Sequence, residues 1–590
     1  NLLKMLERIF DFHYNQLSQF PKKDALTDKI NGKWVPTSTQ SMIEQAEALA
    51  SGLIELGLQP GDKVGLISNN RSEWLITDLG ILIAGMINVP IYPTITEEDY
   101  EYILNNAEVK VCFVSDEDLF TKVNSVKPKV SSLQHLYSYD SVSNSDNWSN
   151  VKELGKGKNK EKIDAIKAGV KGDDLATLIY TSGTTGRPKG VMLTHTNLVS
   201  NSVASRKRLP LGSDSKSLSF LPLCHVYERM ISYLYFHTGT SIYYAESLET
   251  IGDNLREVQP DVFTAVPRLL EKVYDKIVAK GTELTGIKKA LFFWALGLGQ
   301  KYELNGANGA FYEFQLKLAN KIIFNKWREA LGGNAKAIAS GAAALQPRLA
   351  RVFLAAQIPV MEGYGLTETS PVLAVNEEAN DGVRIGTCGR ALDNVQLKIA
   401  DDGEILAKGP NVMQGYYKNE EATKEVFTED GWFKTGDLGT LVEGQYLKIT
   451  GRKKETFKTS GGKYVAPQLL ENKMKESNFI EQIMVIGESE KHPAAIVQPS
   501  FDYLKEWCKR KNISYTTDAE MVKVERIHNR IMKEIDFYNE GFAQYERVKK
   551  IILAPTVWGI DSGEMTPTMK IKRRVLMENF KDQIESCYRG

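Results

Sequence analysis

Tyr180-Thr-Ser-Gly-Thr-Thr-Gly-Arg-Pro-Lys-Gly190 follows the apolar run Leu175-Ala-Thr-Leu-Ile179. The run reads as a buried strand, and the eleven residues after it read as a turn built for an anion. Three glycines let the backbone approach a ligand closely. Four aliphatic hydroxyls and the amide N–H groups donate to oxyanions, and Lys189 adds charge. The ligand implied is a polyphosphate. The common nucleotidase loop needs Gly-x-x-x-x-Gly-Lys-Ser/Thr running into a helix. Here Pro188 stands five positions after Gly183 and removes a backbone donor, and Gly190 follows Lys189. The spacing excludes that loop.

Around this turn the pattern alternates. Residues 38–58 read as a helix stopped at Gly57. Pro60-Gly61-Asp62 then leads into a strand, Lys63 to Ile67. A helix over about Glu73 to Ala84, a helix from about Glu97 and a strand Val109 to Val114 follow. Strands alternating with helices imply a parallel α/β sheet. Leu79 to Ile91 is too short for a bilayer span, which takes about 20 residues, and reads as a buried helix running into a strand. Residues 140–174, rich in Ser, Asn, Gly and Lys, read as a solvated surface connection. Residues 281–332 read as two amphipathic helices with aromatic clusters and flanking lysines. Both a core-packing hairpin and a membrane-surface helix stay open there. From Val395 to Ile449 the pattern is β-rich, with a hairpin at Asp401-Asp402-Gly403. Beyond Gly451 to Lys454, strands (Gln482 to Ile486, Ala494 to Gln498) and helices (Ala519 to Glu540) suggest a separate α+β domain.

The chain has 590 residues, 42% hydrophobic and 25% charged, which suits a globular protein of more than one domain. Lys+Arg and Asp+Glu both total 74, which argues against bulk nucleic-acid binding and leaves only a local basic patch open. Five scattered cysteines without Cys-x-x-Cys suggest neither zinc nor a disulfide framework. With no secretory signal in the charged N-terminal stretch, a cytoplasmic, non-secreted protein is expected.

Four further stretches fall in order along the chain. Glu362-Gly-Tyr-Gly-Leu-Thr-Glu-Thr369, preceded by Ser340-Gly-Ala-Ala-Ala344, offers an aromatic ring for a purine and a hard carboxylate oxygen for Mg²⁺. Gly431-Trp-Phe-Lys-Thr-Gly-Asp-Leu438, Gly451-Arg-Lys-Lys-Glu455 continuing to Gly462, and Thr566-Pro-Thr-Met-Lys-Ile-Lys-Arg-Arg574 follow. Singly, each is an ordinary turn or basic run.

Together with the opening loop they resemble the AMP-forming adenylate synthetases, a family that includes acyl-CoA synthetases, luciferases and peptide-synthetase adenylation domains. The resemblance runs from about residue 20 to 580. It implies an α/β fold. The large N-terminal domain, 1–452, would hold α/β sheet subdomains plus a β-barrel-like part. A small mobile α+β lid, 453–590, would carry the catalytic lysine. The resemblance assigns ATP or AMP to Thr181, Ser182, Gly183, Thr184, Thr185, Gly186, Lys189, Gly341, Ala342, Tyr364, Thr367, Asp437 and Arg452. It assigns Mg²⁺ to Glu368, the hinge to Lys454 and coenzyme A to Gly461 and Gly462. Lys189, Thr367, Glu368 and Lys570 become the catalytic set. Lys570 aligns with the family's lysine, but Met569 stands where many members have Gly, and Lys572 is two positions on.

Leu221-Pro-Leu-Cys-His-Val-Tyr-Glu-Arg229 and Val266-Pro-Arg-Leu-Leu-Glu-Lys-Val273 resemble the long-chain branch, with His225 and Tyr227 on the acyl pocket. The implied reaction joins a long-chain fatty acid to ATP, releases pyrophosphate, and passes the acyl group from acyl-AMP to CoA. The alternatives are a fatty acyl-AMP ligase serving a carrier protein and a silent acyl- or nucleotide-binding protein. A homodimer and a peripheral membrane contact are compatible with the resemblance.

Overall fold

In the computed structural model, residues 6–181, 187–377, 381–560, 562–566 and 569–589 are described. They form two compact units. One comprises residues 1–398, 406–434 and 443–447; the other comprises 399–405, 435–442 and 448–590.

The first unit carries two large sheets among the described residues. One has eight strands, ordered Gly415–Tyr416, Lys189–Thr194, Leu175–Thr181, Ile87–Ile91, Lys63–Ile67, Val109–Val114, His135–Ser138 and Asp146–Asn147. Its centre is parallel, as the alternating pattern requires. Its first three strands are antiparallel. The strands expected at Lys63–Ile67 and Val109–Val114 lie there. The other sheet has nine strands. Its parallel core includes Lys216–Ser219, Val262–Ala265, Ala337–Ser340 and Val360–Gly365. Both sheets are buried under helices, with Leu66, Val111, Ile179 and Val191 in one core cluster and Phe263, Ile338 and Val360 in another.

Residues 140–174 differ from the expected solvated connection. They contain two helices, Trp148–Gly155 and Lys160–Gly169. The first lies against helix Thr39–Glu55 with almost no gap. A Cβ on Gly52 would meet the Val151 carbonyl at 1.9 Å, and one on Gly155 would meet Gly52 N at 2.2 Å. The two glycines allow a backbone-to-backbone contact that a polar composition does not advertise. Lys152 follows suit: its Nζ lies 3.5 Å from the Trp148 ring centroid and donates to Gln45 Oε1. Burial pushes its pKa down.

The second unit contains a sheet of Ile480–Ile486, Ala494–Pro499 and Lys550–Leu553, packed around Val485, Val497, Leu504 and Ile531. The helices expected over 519–540 are Asp518–Met521 and Glu525–Asn539. A four-stranded sheet, Gln396–Ile399, Glu404–Lys408, Phe433–Val442 and Tyr446–Arg452, occupies the expected β-rich region. Among the described residues, no helix is long and apolar enough to cross a membrane.

Candidate active site

The strand Leu175–Thr181 pairs antiparallel with Lys189–Thr194, so Thr181 faces Lys189 across the mouth of the hairpin. Ser182, Gly183, Thr184, Thr185 and Gly186 lie outside the described residues. The next strand over is Gly415–Tyr416, which pairs with Val191 and Met192. This register brings Tyr416 beside Lys189, and the Lys189 Nζ sits 4.9 Å from the centre of the Tyr416 ring. The phenol at the far end donates to Glu368 Oε1 at 2.9 Å. Burial, with the Glu368 carboxylate beside it, pushes the Tyr416 phenol well up, so it stays a protonated donor.

Glu368 is held by its backbone. It sits in the short turn Thr367–Thr369, and its carbonyl accepts from Met413 N at 2.8 Å. Thr369 Oγ1 donates to the Pro371 carbonyl at 2.6 Å, and Asn411 Nδ2 donates to the Thr369 carbonyl at 2.7 Å. Thr367 is buried in the same turn. Gly365 makes this fold-back fit: a Cβ there would come within 1.8 Å of the Pro371 carbonyl oxygen. Tyr364, at the end of Val360–Gly365, packs on the cluster of Leu373, Leu392 and Val395.

A second group forms at the ends of neighbouring parallel strands. Ala265, Ser340 and Glu362 are in register, so Gly341 and Ala342 leave the sheet beside Glu362 and Tyr364. Gly341 N donates to the Ala265 carbonyl at 3.2 Å, and Ala342 takes φ +70°. The Tyr227 ring lies 3.4 Å from where a Gly341 Cβ would stand, so the expected acyl residue and the expected adenine wall are neighbours. His225 caps helix Val226–Thr238, its Nδ1 accepting from Tyr227 N at 3.2 Å. Its ring centroid is 6.5 Å from that of Tyr92.

Two carboxyls near these residues are buried. Glu228 accepts from Ser219 Oγ at 2.7 Å and from Thr264 Oγ1, and burial pushes it up to about 7. Glu362 accepts from Leu345 N at 3.0 Å and is pushed up to about 8, again by burial. A carboxyl with a raised folded-state pKa contributes stability that is full below its unfolded pKa and lost as pH rises through the folded value. The thermal midpoint should therefore fall between about pH 5 and pH 8. In Glu228→Gln and Glu362→Gln, which cannot ionise, the fall should be shallower. Parallel melting curves at each pH check this, and equal slopes in all three proteins would remove these two groups as the cause.

The second unit holds the remaining residues. Asp437 is buried, and Arg452 Nε lies 3.2 Å from its Oδ1. The Asp437 N–H donates to Thr435 Oγ1 at 3.1 Å. Lys453 is tied to Asp402 at 2.6 Å and to Glu404 at 2.7 Å, whereas Lys454 is exposed on the turn that follows. Gly461 and Gly462 form the exposed tip of the hairpin Phe457–Lys458 with Tyr464–Val465. Lys570 is exposed on a clasped loop. Its N–H donates to Thr566 Oγ1 at 3.0 Å, its carbonyl accepts from Thr566 N at 2.8 Å, and Met565 bridges Ile571. Met569 has φ +60°, the left-handed region a glycine would take with less strain. Lys572 caps the next helix, Arg573–Asn579, its N–H donating to the Glu564 carbonyl.

Lys189 and Glu368 thus meet at Tyr416, with Thr181 paired to Lys189 across the hairpin and Thr367 next to Glu368 in its turn, while Gly341, Ala342 and Tyr227 lie at a second strand-end loop. Tyr416 was missed in the sequence reading. Its only signal is an aromatic pair after a glycine, Gly415-Tyr416-Tyr417.

A family model described as "AMP-binding enzyme" matches residues 14–417, and one described as "AMP-binding enzyme C-terminal domain" matches residues 454–590. A long-chain-fatty-acid–CoA ligase of Mycobacterium tuberculosis, FadD15, is 36% identical over 95% of this chain and 93% of its own. Long chain acyl-CoA synthetase 6, peroxisomal, of Arabidopsis thaliana is 33% identical over 92% of this chain and 80% of its own. Among solved structures, the adenylation domain of a carboxylate reductase from Mycobacterium chelonae has a TM-score of 0.77 at 22% identity. That match covers 99% of this chain and 91% of that one. An anthranilate CoA ligase in complex with anthranoyl-AMP has a TM-score of 0.74 at 18% identity, covering 98% of both chains. These two likenesses are of fold.

Proposed function

Since the chain belongs to the AMP-binding enzyme family, we propose that it is a long-chain fatty acid–CoA ligase. It would convert the acid and ATP to acyl-AMP and pyrophosphate, then transfer the acyl group to CoA. The relatives named as long-chain ligases at 30% identity or more support the acid class. The observation that carries the chemistry is the meeting of Lys189 and Glu368 at the face and the hydroxyl of Tyr416. The three residues come from distant parts of the chain, and a cation and a carboxylate on either side of one phenol would suit a polyphosphate and its metal ion.

The reactants set the requirements. A carboxylate and ATP repel, and the nucleophile is the substrate itself, so the protein must position and neutralise. The substrate carboxylate oxygen bonds to the α-phosphorus as the bond to pyrophosphate breaks. Lys189 would hold the departing phosphates and Lys570 the developing charge. Asp437 would accept from the ribose hydroxyls with Arg452 beside it, and Tyr364 would lie against the base. In the second step the CoA thiolate attacks the acyl carbonyl and AMP leaves.

Among the described residues, no group of three or more His, Cys, Asp or Glu is arranged to hold a metal. Mg²⁺ commonly binds through one or two carboxylates together with substrate phosphates, and a single Glu368 fits that mode. The ion would neutralise phosphate charge, with Glu368 held in place by Tyr416.

Both half-reactions act on one carbonyl, so the small domain would turn about Lys454 to exchange Lys570 for the Gly461–Gly462 hairpin. The test is pyrophosphate release with a panel of acids, with and without CoA. Release should need an acid, favour long chains and lead to thioester when CoA is present. No acid-dependent release sinks the enzyme reading, and release without thioester favours a carrier-protein ligase. In the same assay Lys454→Pro should slow thioester formation by about 100-fold, the scale of a misplaced group, while sparing adenylation. Equal loss in both steps removes the hinge.

A further inference from the structure

Glu228 and Arg229 are consecutive residues in the first turn of helix Val226–Thr238, and both are buried. They tie that turn to different sheets. Arg229 donates to Thr177, in the eight-stranded sheet. Glu228 turns to the nine-stranded sheet: Ser219 Oγ donates to its Oε1 at 2.7 Å, and Thr264 Oγ1 donates to its Oε2. Ser219 ends the strand Lys216–Ser219, and Thr264 lies in the paired strand Val262–Ala265. Asn70 fixes the segment before the turn. Its Nδ2 donates to Ser219 Oγ at 3.1 Å and to the Leu221 carbonyl at 2.7 Å, and its Oδ1 accepts from Leu223 N at 3.0 Å. Asn70, Ser219, Glu228 and Thr264 are therefore one chain of hydrogen bonds along residues 219–228.

A buried carboxyl costs stability unless its oxygens find donors, and an apolar side chain would fill the same space without that cost. What a closed polar network adds is a single arrangement. Here both oxygens of Glu228 are met by hydroxyls rather than by a cation, so directional bonds set the start of the helix. The neighbours on that turn are His225, whose Nδ1 caps the helix, and Tyr227, whose ring stands by Gly341. Thr264 precedes Ala265, whose carbonyl accepts from Gly341 N. Glu228 thus joins the turn that carries Tyr227 to the strand end that carries Gly341.

We propose that Glu228 is a positioning residue for the acid: held by Ser219 and Thr264, it sets where His225 and Tyr227 stand and so how the acid is seated. This rests on the ligase reading, in which those two residues line the acyl site.

The test is pyrophosphate release by the full chain over a panel of fatty acids, with acid and ATP varied in turn. Glu228→Ala should raise KM for the acid by about 10- to 100-fold, the scale of a misplaced group, while KM for ATP stays within about threefold. Glu228→Gln should restore most of the acid KM, because an amide keeps both bonds when one hydroxyl turns to accept. Thr264→Val removes one donor at nearly the same shape and should raise the acid KM about fivefold, the scale of one hydrogen bond. It tests the network even where Glu228→Ala does not fold. A purely structural role would lower the active fraction, so that kcat falls alike for every acid and neither KM moves. That result overturns the proposal, as does an ATP KM that moves as far as the acid KM, or a Glu228→Gln no better than Glu228→Ala. Wild-type protein without acid-dependent release overturns the ligase reading and this inference together. An active wild type whose acid KM is unchanged in Glu228→Ala and Thr264→Val overturns this inference alone.

Discussion

Lys570→Ala should slow acyl-AMP formation by about 100- to 1,000-fold, the scale of losing one preorganised group aimed at developing charge. The loss should fall on kcat rather than on KM, because the interaction strengthens as charge builds on the departing oxygens. Supplied acyl-AMP should still be converted to thioester at close to the normal rate, since in the proposed reading that step would use the Gly461–Gly462 hairpin in place of Lys570. Lys572→Ala is the decisive partner. Both lysines are exposed, but their settings differ. Lys570 ends a loop clasped by Thr566 from both sides, while Lys572 begins a helix. The Thr566 bonds fix the backbone from which the Lys570 side chain starts, and electrostatic catalysis favours such preorganisation. Lys572→Ala should therefore keep adenylation within about threefold, as expected for an exposed charge outside the reaction. Pyrophosphate release and thioester formation, measured separately in both variants, check this. If Lys572→Ala shows the larger adenylation defect, the alignment is off by two residues.

What was legible in the sequence was local. Lys63–Ile67 and Val109–Val114 could be read because each is an apolar run bounded by turn or helix signals. The hairpin at Asp401–Gly403 announced itself by its turn residues, and Gly403 takes φ +85° there. What was not legible depends on long-range pairing. Tyr416 matters because its short strand adds to the edge of a hairpin more than 200 positions earlier, between residues 181 and 194. No period or motif marks that. The helices of 148–169 were hidden for another reason. Their polar, lysine-rich faces dominate the composition, while Gly52 and Gly155 provide the close contact. The resemblance names the residues proposed for phosphate, purine and ribose, but it does not name the support that holds Glu368.

The sheet that carries Tyr416 also includes the strand of Thr177, where the largest effect on stability is expected. Arg229 is 0% exposed and Asp78 is 1% exposed, with Arg229 Nη2 lying 2.6 Å from Asp78 Oδ1. Asn88 Nδ2 also donates to Asp78 Oδ1, and the Tyr233 hydroxyl donates to Asp78 Oδ2. Arg229 Nη1 donates to Thr177 Oγ1 at 2.7 Å, and Thr177 Oγ1 donates to the Asn88 carbonyl. Thr177 belongs to the strand that ends at Thr181. The network therefore ties helix Val226–Thr238 to the strand Leu175–Thr181. Arg229→Met should remove about 3–5 kcal/mol from the unfolding transition of the first unit, because it leaves a buried carboxylate without its cation. Asp78→Leu/Arg229→Met should recover part of that, since replacing both charges by apolar groups spares the desolvation of either. Recovery should stay partial, because Thr177, Asn88 and Tyr233 each lose a partner. Urea midpoints for the two variants measure both effects. A loss under about 1 kcal/mol in Arg229→Met, within the range of an ordinary surface substitution, would show that the pair is not closed to water. Where folding survives at low temperature, KM for ATP should rise in Arg229→Met, because the strand that holds Thr181 has lost its anchor.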